Sequence, residues 1–281
     1  MAIVDKLLAL GARVPSRQLR VDYTLFRPSR AETAGAAPTP LKPSPLVSCM
    51  MVTKGDRFSV RFALACFQGQ TYPAKELVVI VDAGATTQVE ALVGEMRIEG
   101  VRIHAAPAGL TLGELRNLAI EWSRGDILMQ WDDDDLYDPL RITSCVNLLS
   151  QLPGAAVLMA RLLLWWPGRR LAALSGQRLW EGTIAMRREY APTYPSLSRA
   201  EDTPGVDAIV RSQPVVVADA PLLYVYAITQ NNTWHIQHFN EIMATAEYVI
   251  GGAEYDDLLQ ALSARLPILA YDEAVRRLAS A

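Results

Sequence analysis

Hydrophobic positions along the chain follow two rhythms that take turns. "LVSCMMVT" (Leu46–Thr53) is an almost unbroken apolar run, the pattern of a strand covered on both faces. "DRFSVRFALACFQ" (Asp56–Gln68) then has helical spacing, with Phe58, Phe62 and Ala65 on one side. "ELVVIVD" (Glu76–Asp82), "VRIHAA" (Val101–Ala106) and "DILMQW" (Asp126–Trp131) read as further buried strands. Between them "TTQVEALVGEMR" (Thr86–Arg97) and "TLGELRNLAIEWSRG" (Thr111–Gly125) read as helices, the second with Leu112, Leu115, Leu118, Ala119 and Trp122 as its apolar stripe. Strand and helix alternating at this short spacing predict a parallel α/β sheet with right-handed crossovers. Ligands of such sheets bind beyond the carboxyl ends of the strands, where Thr53, Asp82 and Asp132 fall.

After "DPLRITSCVNLLSQL", a helix opening near Pro139, the rhythm changes. "AAVLMARLLLWW", "RRLAAL" and "LWEGTIAMR" read as strands joined by "PG" and "SGQ" turns, an antiparallel or mixed portion. A helix over 204–212, short strands over 215–218 and 222–228, and C-terminal helices follow. Upstream, "RAETAGAAPTPLKPSP" (Arg30–Pro45) has four prolines and no hydrophobic period, and reads as an extended linker behind an N-terminal arm. The expected organisation is an arm and linker over 1–44, a main domain over 45–250 and a C-terminal helical segment over 251–281. Within the main domain the change of rhythm divides 45–138 from 139–250.

Composition adds constraints. At 281 residues, 51% hydrophobic and 20% charged, the chain can bury a sizeable core. A net charge of −3 gives no basic field for nucleic acid. Cys49, Cys66 and Cys145 are scattered in apolar segments and read as core residues of a reducing compartment, not as a disulfide frame or zinc site. "MAIVDKLLALGARVPSRQ" is too short in its apolar part to span a bilayer, and Asp5 and Lys6 interrupt it. It reads as a helix packed on its own protein, with a peripheral membrane or partner contact as the alternative. The chain is expected to be cytoplasmic.

The concentrated chemistry lies in "WDDDDLYDP" (Trp131–Pro139). In an extended conformation Asp132 and Asp134 project to one side, Asp133 and Asp135 to the other. Two carboxylates converging at a strand end make a hard oxygen site for Mg²⁺ or Mn²⁺, with positions left for phosphate oxygens and water. The bland alternative is a solvated acidic turn capping the next helix, the role expected of Asp138. "DDLYD" (Asp134–Asp138) also matches the DDxxD of isoprenoid synthases, but that motif sits on a helix, and here a strand precedes it and Pro139 follows.

The ordered set "LVSCMMVTKGDRFSVRFALACFQGQTYPAKELVVIVDAG", "LGELRNLAIEWSRGDILMQWDDDD" and "RAEDTP" resembles a family-2 glycosyltransferase of the GT-A fold, from about Leu46 to Asp202. The resemblance implies a Rossmann-like, mostly parallel central sheet flanked by helices, a smaller antiparallel portion in the acceptor half and C-terminal helices. In such a chain 45–138 would be the nucleotide-sugar-binding half and 139–250 the acceptor half. It implies inverting, DxD-dependent transfer from a nucleotide-diphosphate sugar, a UDP-sugar favoured, to a glycan, lipid-linked or protein acceptor. The implied donor-binding residues are Thr53, Asp82, Arg116, Asp132, Asp133 and Asp134. The implied cofactor is Mn²⁺ or Mg²⁺ on Asp134 and Asp132, with Asp135 in support. Asp202 would be the general base, and Glu201 would orient the loop or contact the acceptor. Trp180 and Glu181 of "WEG" are acceptor candidates, with core packing the favoured reading for Trp180 and sugar stacking the alternative. Asp133 is expected to tolerate replacement.

"YAITQNNTWHIQHF" (Tyr226–Phe239) resembles a segment that often reads "HGxNTW…HF" in this family, but Thr229 and Gln230 stand where His-Gly is usual. That leaves the third metal ligand open, with His238 or His235 as replacements and His238 preferred. His104, inside a strand, is expected to be structural. Two further readings stand beside the transferase: a nucleotide-sugar-binding protein without turnover, suggested by the Thr229–Gln230 departure, and a nucleotidyltransferase. The latter needs a glycine-rich phosphate loop after the first strand, and "TKGDR" has one glycine.

Overall fold

The computed structural model describes residues 21–28, 38–230 and 232–280, so the N-terminal helix reading and the start of the linker lie outside the described residues. The apolar runs form strands as their lack of a polar face demands. β1 (Asp22–Phe26) is followed by β2 (Val47–Thr53), β3 (Lys75–Asp82), β4 (Val101–Ala106) and β5 (Ile127–Gln130). Strand β2 pairs in parallel with both β3 and β5, and β3 in parallel with β4. The intervening helices are α1 (Arg57–Gln68), α2 (Thr86–Met96) and α3 (Leu112–Trp122). Asp56 caps α1 by accepting from the Ser59 amide, and Thr111 and Glu114 form a capping box at the start of α3.

The second half supplies the mixed portion. It runs β6 (Leu136–Tyr137), α4 (Arg141–Gln151), β7 (Ala156–Met159), β8 (Leu163–Trp166), β9 (Leu171–Leu174), β10 (Trp180–Arg187), α5 (Asp202–Ser212), β11 (Val215–Asp219) and β12 (Tyr224–Ala227). The chain closes with α6 (Ile236–Ala244), β13 (Tyr248–Ile250), α7 (Ala253–Leu262) and α8 (Ile268–Ser280). Among the described residues the strands make two sheets, ordered β1-β11-β7-β10-β5-β2-β3-β4 and β13-β9-β8-β12-β6. Strand β10 runs antiparallel to both β5 and β7, which turns a parallel sheet into a mixed one at the site.

Three expectations change. "AAVLMARLLLWW" is not one strand: β7 belongs to the large sheet and β8 to the small one, so the chain crosses between sheets over 160–162. The described part of the arm is not separate either, because β1 pairs antiparallel with β11 from Asp22↔Asp219 to Phe26↔Val215 and forms the edge of the large sheet. The described part of the linker is tied to the body, with Leu46 N–H donating to Asp126 Oδ2 (3.0 Å) and Lys42 Nζ to Asp126 Oδ1 (2.9 Å). Finally, the C-terminal segment is built into the main core, where Tyr255, Leu258, Leu259, Ile268 and Tyr271 are buried with the strands of both sheets.

Candidate active site

A cleft of about 840 Å³ opens at the carboxyl ends of β2, β3 and β5, lined by Thr53, Asp82, Asp132, Asp133 and Asp134 from that edge. Glu181, Glu201, Asp202, Asn232 and Trp234 line it from the second half. The acidic segment is a turn, not an extended strand, so the alternation of its side chains breaks. Asp132, Asp133 and Asp134 all reach the cleft, while Asp135 is buried, accepting from Tyr224 Oη (2.5 Å) and the Ala227 amide (2.9 Å). Asp133 accepts from the Thr53 hydroxyl and thus sits on the expected donor side. Its side chain is engaged, contrary to the expectation that it is spare.

Electrostatics explain how the turn is held. Burial, and then Asp133 and Asp132, push the Asp134 carboxyl up to about 8, against a lowering bond from Asn232. Burial also raises Asp133, to about 6, against the bond from Thr53. Asp132 accepts from Gln130 Nε2 (3.0 and 3.3 Å) and from Arg116 Nη2 (3.2 Å). Tyr271 Oη of α8 donates to the Asp134 carbonyl (3.3 Å), so the C-terminal helix backs the turn. Asp138, expected to cap the next helix, does not do so: the N-cap is Leu140, without a side-chain cap bond, and Asp138 accepts from the Leu140 amide (2.9 Å) and from Arg265 (2.6 Å).

A hard divalent cation fits this donor set. The carboxylates of Asp132, Asp133 and Asp134 line one wall of the cleft, an all-oxygen set of the kind hard cations take. Among the described residues no three His, Cys, Asp or Glu side chains converge in a metal-holding group, so the expected trio of Asp132, Asp134 and His238 does not form. His238 instead stacks on Trp234, ring centroids 4.4 Å apart, and His235 contacts Arg199 at 3.3 Å.

The second wall is fastened to α3. Arg116 Nε donates to Glu201 Oε1 (2.5 Å), and Asn117 exchanges two bonds with the backbone of Tyr194, each 2.9 Å. The Gly113 amide donates to the Leu197 carbonyl (3.0 Å). Ala200 takes a left-handed backbone (φ 53°), a conformation that costs a non-glycine residue energy and recurs at functional sites. It delivers Glu201 inward to Arg116 and Asp202 to the first turn of α5 in the cleft. Burial first, with Glu201, Asp132 and Glu181 adding to it and Arg116 opposing, raises the Asp202 carboxyl to about 6.

Residues 48–166 match the profile of the family described as Glycosyl transferase family 2. Over these residues the chain is similar to family-2 glycosyltransferases. No curated protein matches the chain by sequence. Among solved structures, S. aureus TarS 1–349 in complex with UDP-GlcNAc is 16% identical, with a TM-score of 0.57 over 78% of this chain and 71% of that one. The mannosyltransferase PcManGT from Pyrobaculum calidifontis, in complex with GDP-Man and Mn²⁺, is likewise 16% identical, with a TM-score of 0.56 over 89% and 85%. These likenesses establish the fold, the expected GT-A arrangement of a mostly parallel sheet flanked by helices with an antiparallel addition.

Within the glycosyltransferase fold most of the expected residues meet in one cleft. Arg116, expected to reach a nucleobase, is buried between Glu201 and Asp132 and holds two walls together. Trp180 is 6% exposed, its ring covered by the Arg178 guanidinium at 4.2 Å, which favours its packing role over sugar stacking; Glu181 pairs with the same Arg178 at 3.1 Å. His104 stacks on Trp122 away from the cleft, as expected of a structural residue. Sequence reasoning missed Asn232, Tyr224, Asn117 and Tyr271. Asn117 stands in the quoted "LRN", so its signal was present; Tyr271, far along the chain, had none.

Proposed function

We propose that this chain transfers a sugar from a nucleotide-diphosphate sugar to an acceptor hydroxyl with inversion at the anomeric carbon. The observation that carries this reading is that Asp202, raised to about 6, and the carboxylates Asp132 to Asp134 line one cleft at the ligand edge of the sheet. Asp202 is ionised at neutral pH yet basic enough to accept a proton, the poise a general base needs. It takes the acceptor's hydroxyl proton as that oxygen bonds the anomeric carbon, and the bond to the diphosphate breaks with its electron pair leaving on the nucleoside diphosphate. Asp132 and Asp134 would hold a Mn²⁺ or Mg²⁺ ion, which supplies positive charge to the departing diphosphate. Thr53 and Asp82 line the donor part of the cleft, and Glu201 fixes the loop that carries the base.

UDP-sugars are the first donors to test, because one structural neighbour holds UDP-GlcNAc; GDP-sugars follow, because another holds GDP-Man. Melting temperature with UDP, GDP, CDP or dTDP, each with and without Mn²⁺, identifies the base through stabilisation by the bound ligand. Donor hydrolysis or transfer with Mn²⁺ then compares the wild type with Asp134→Ala and Asp202→Asn. Both variants should lose at least about 100-fold in kcat. Full activity in both sinks the assignment.

A further inference from the structure

The turn after β12 brings an asparagine against the acidic carboxylates. Asn232 lines the same cleft as the three carboxylates, and its Nδ2 lies 2.6 Å from Asp134 Oδ2. Its other end, Oδ1, accepts from the Thr229 amide at 2.5 Å. Neither candidate histidine is engaged with the carboxylates: His238 lies on Trp234 and His235 on Arg199. Resting on the metal-dependent reading above, we propose that Asn232 is a metal ligand, giving a neutral carbonyl oxygen to the divalent cation that Asp134 holds.

Adjacent oxygen ligands on an octahedral Mg²⁺ with bonds of about 2.1 Å stand about 3 Å apart. The Asn232 amide and the Asp134 carboxylate already face each other at 2.6 Å and need to open by a few tenths of an ångström. Asn carbonyl oxygens are ordinary ligands of hard cations. The carboxamide also carries a donor and an acceptor on one planar group, so a half-turn about its last side-chain bond exchanges them, at the loss of the bonds to the Thr229 amide and the Ala227 carbonyl, which the bond to the cation must offset. Without a cation the N–H₂ end satisfies Asp134, and it also bonds the Ala227 carbonyl at 3.1 Å. With a cation between them, the oxygen end is the one attracted.

Mn²⁺ binding by the full chain tests this, read from the free-ion EPR signal at a fixed concentration of UDP or GDP. Asn232→Ala should weaken Mn²⁺ at least about tenfold while leaving the melting temperature of the metal-free protein within a few degrees. Asn232→Asp keeps an oxygen ligand but loses the N–H₂ donor, and should bind Mn²⁺ at least as tightly as the wild type. Asn232→Cys should shift the Cd²⁺-to-Mn²⁺ preference toward Cd²⁺ by more than about tenfold, because thiolates select softer metals; the native cysteines are buried, and the wild type controls for them. If Asn232 only positions Asp134, the Asp variant binds as weakly as the Ala variant and the Cys variant keeps the wild-type metal preference, which overturns the inference. If the wild type binds no Mn²⁺ with either nucleotide, the metal-dependent reading itself falls.

Discussion

Arg116 is the buried cation that Glu201 depends on: Nε and Oε1 stand 2.5 Å apart, and Glu201 is 2% exposed. The same guanidinium reaches Asp132 at 3.2 Å, so one side chain connects the acidic turn to the loop that carries Asp202. Removing one partner of a buried pair leaves the other charge stranded, at about 3–5 kcal/mol. Arg116→Met should therefore destabilise the fold by about that amount in urea unfolding. Glu201→Gln, which keeps a hydrogen-bond acceptor for Nε, should cost less. A loss under about 1 kcal/mol for Arg116→Met would match an exposed pair and contradict the burial.

Asp202 sets a pH dependence. Its carboxyl is raised to about 6, by burial first and then by Glu201, Asp132 and Glu181 against Arg116. A base must be ionised to act, so activity should fall about tenfold per pH unit below 6 and level off above about 7. The measurement is kcat at saturating Mn²⁺ and donor, where proton competition with the cation at the acidic turn is suppressed. A flat kcat from pH 5 to 8 would remove Asp202 from the base role.

How much of this was legible follows from the range of the forces involved. The alternation of β2, α1, β3, α2, β4, α3 and β5 was readable because burial on two faces leaves an unbroken apolar run, while burial on one face leaves a helical stripe. Thr53, Asp82 and Asp132 were placed correctly because strand ends fix where a residue emerges. The turn at Asp133–Asp134 was not readable: an extended chain and a tight turn have the same local composition, and here long-range bonds from Thr53 and Asn232 select the turn. The partners of Arg116 were hidden for a related reason. Its partner Glu201 lies 85 residues away, so nothing near Arg116 announces a buried ion pair. Strand β1 was hidden because an edge strand needs no two-faced apolar run.

The acidic turn makes the metal-free protein prefer acid. Asp134 is raised to about 8 and Asp133 to about 6 from the ordinary 3.8, so the folded state binds more protons than the unfolded chain. Stability from these groups is fully present below about pH 4 and is lost as pH rises through their folded values, up to about 8. The melting temperature without metal should thus decline between pH 5 and 8.5. Asp134→Asn, which cannot ionise, should flatten the decline, and Mn²⁺ with nucleotide should offset it most at the alkaline end. An equal decline in the Asn variant would show that other groups cause it.

Gly113 separates helix propensity from site geometry. It lies in α3, where alanine is intrinsically better than glycine by about 0.8–1.0 kcal/mol. A Cβ there would come 1.9 Å from the Pro195 carbonyl oxygen and 3.3 Å from Glu201 Cβ, so the loop must move to admit it. Overpacking of this kind costs about 1–3 kcal/mol, which outweighs the propensity gain, and the displaced loop is the one that presents Asp202. Gly113→Ala should therefore lower both stability and kcat, the latter by at least about tenfold, since an ångström of misplacement at a reacting group can cost about a hundredfold. Gly94 in α2 is the control, because a Cβ there meets nothing within 4 Å. Gly94→Ala should raise stability by up to about 0.8 kcal/mol and leave kcat unchanged. If both substitutions raise stability and spare activity, the contact between α3 and the 195–201 loop does not hold the base in place.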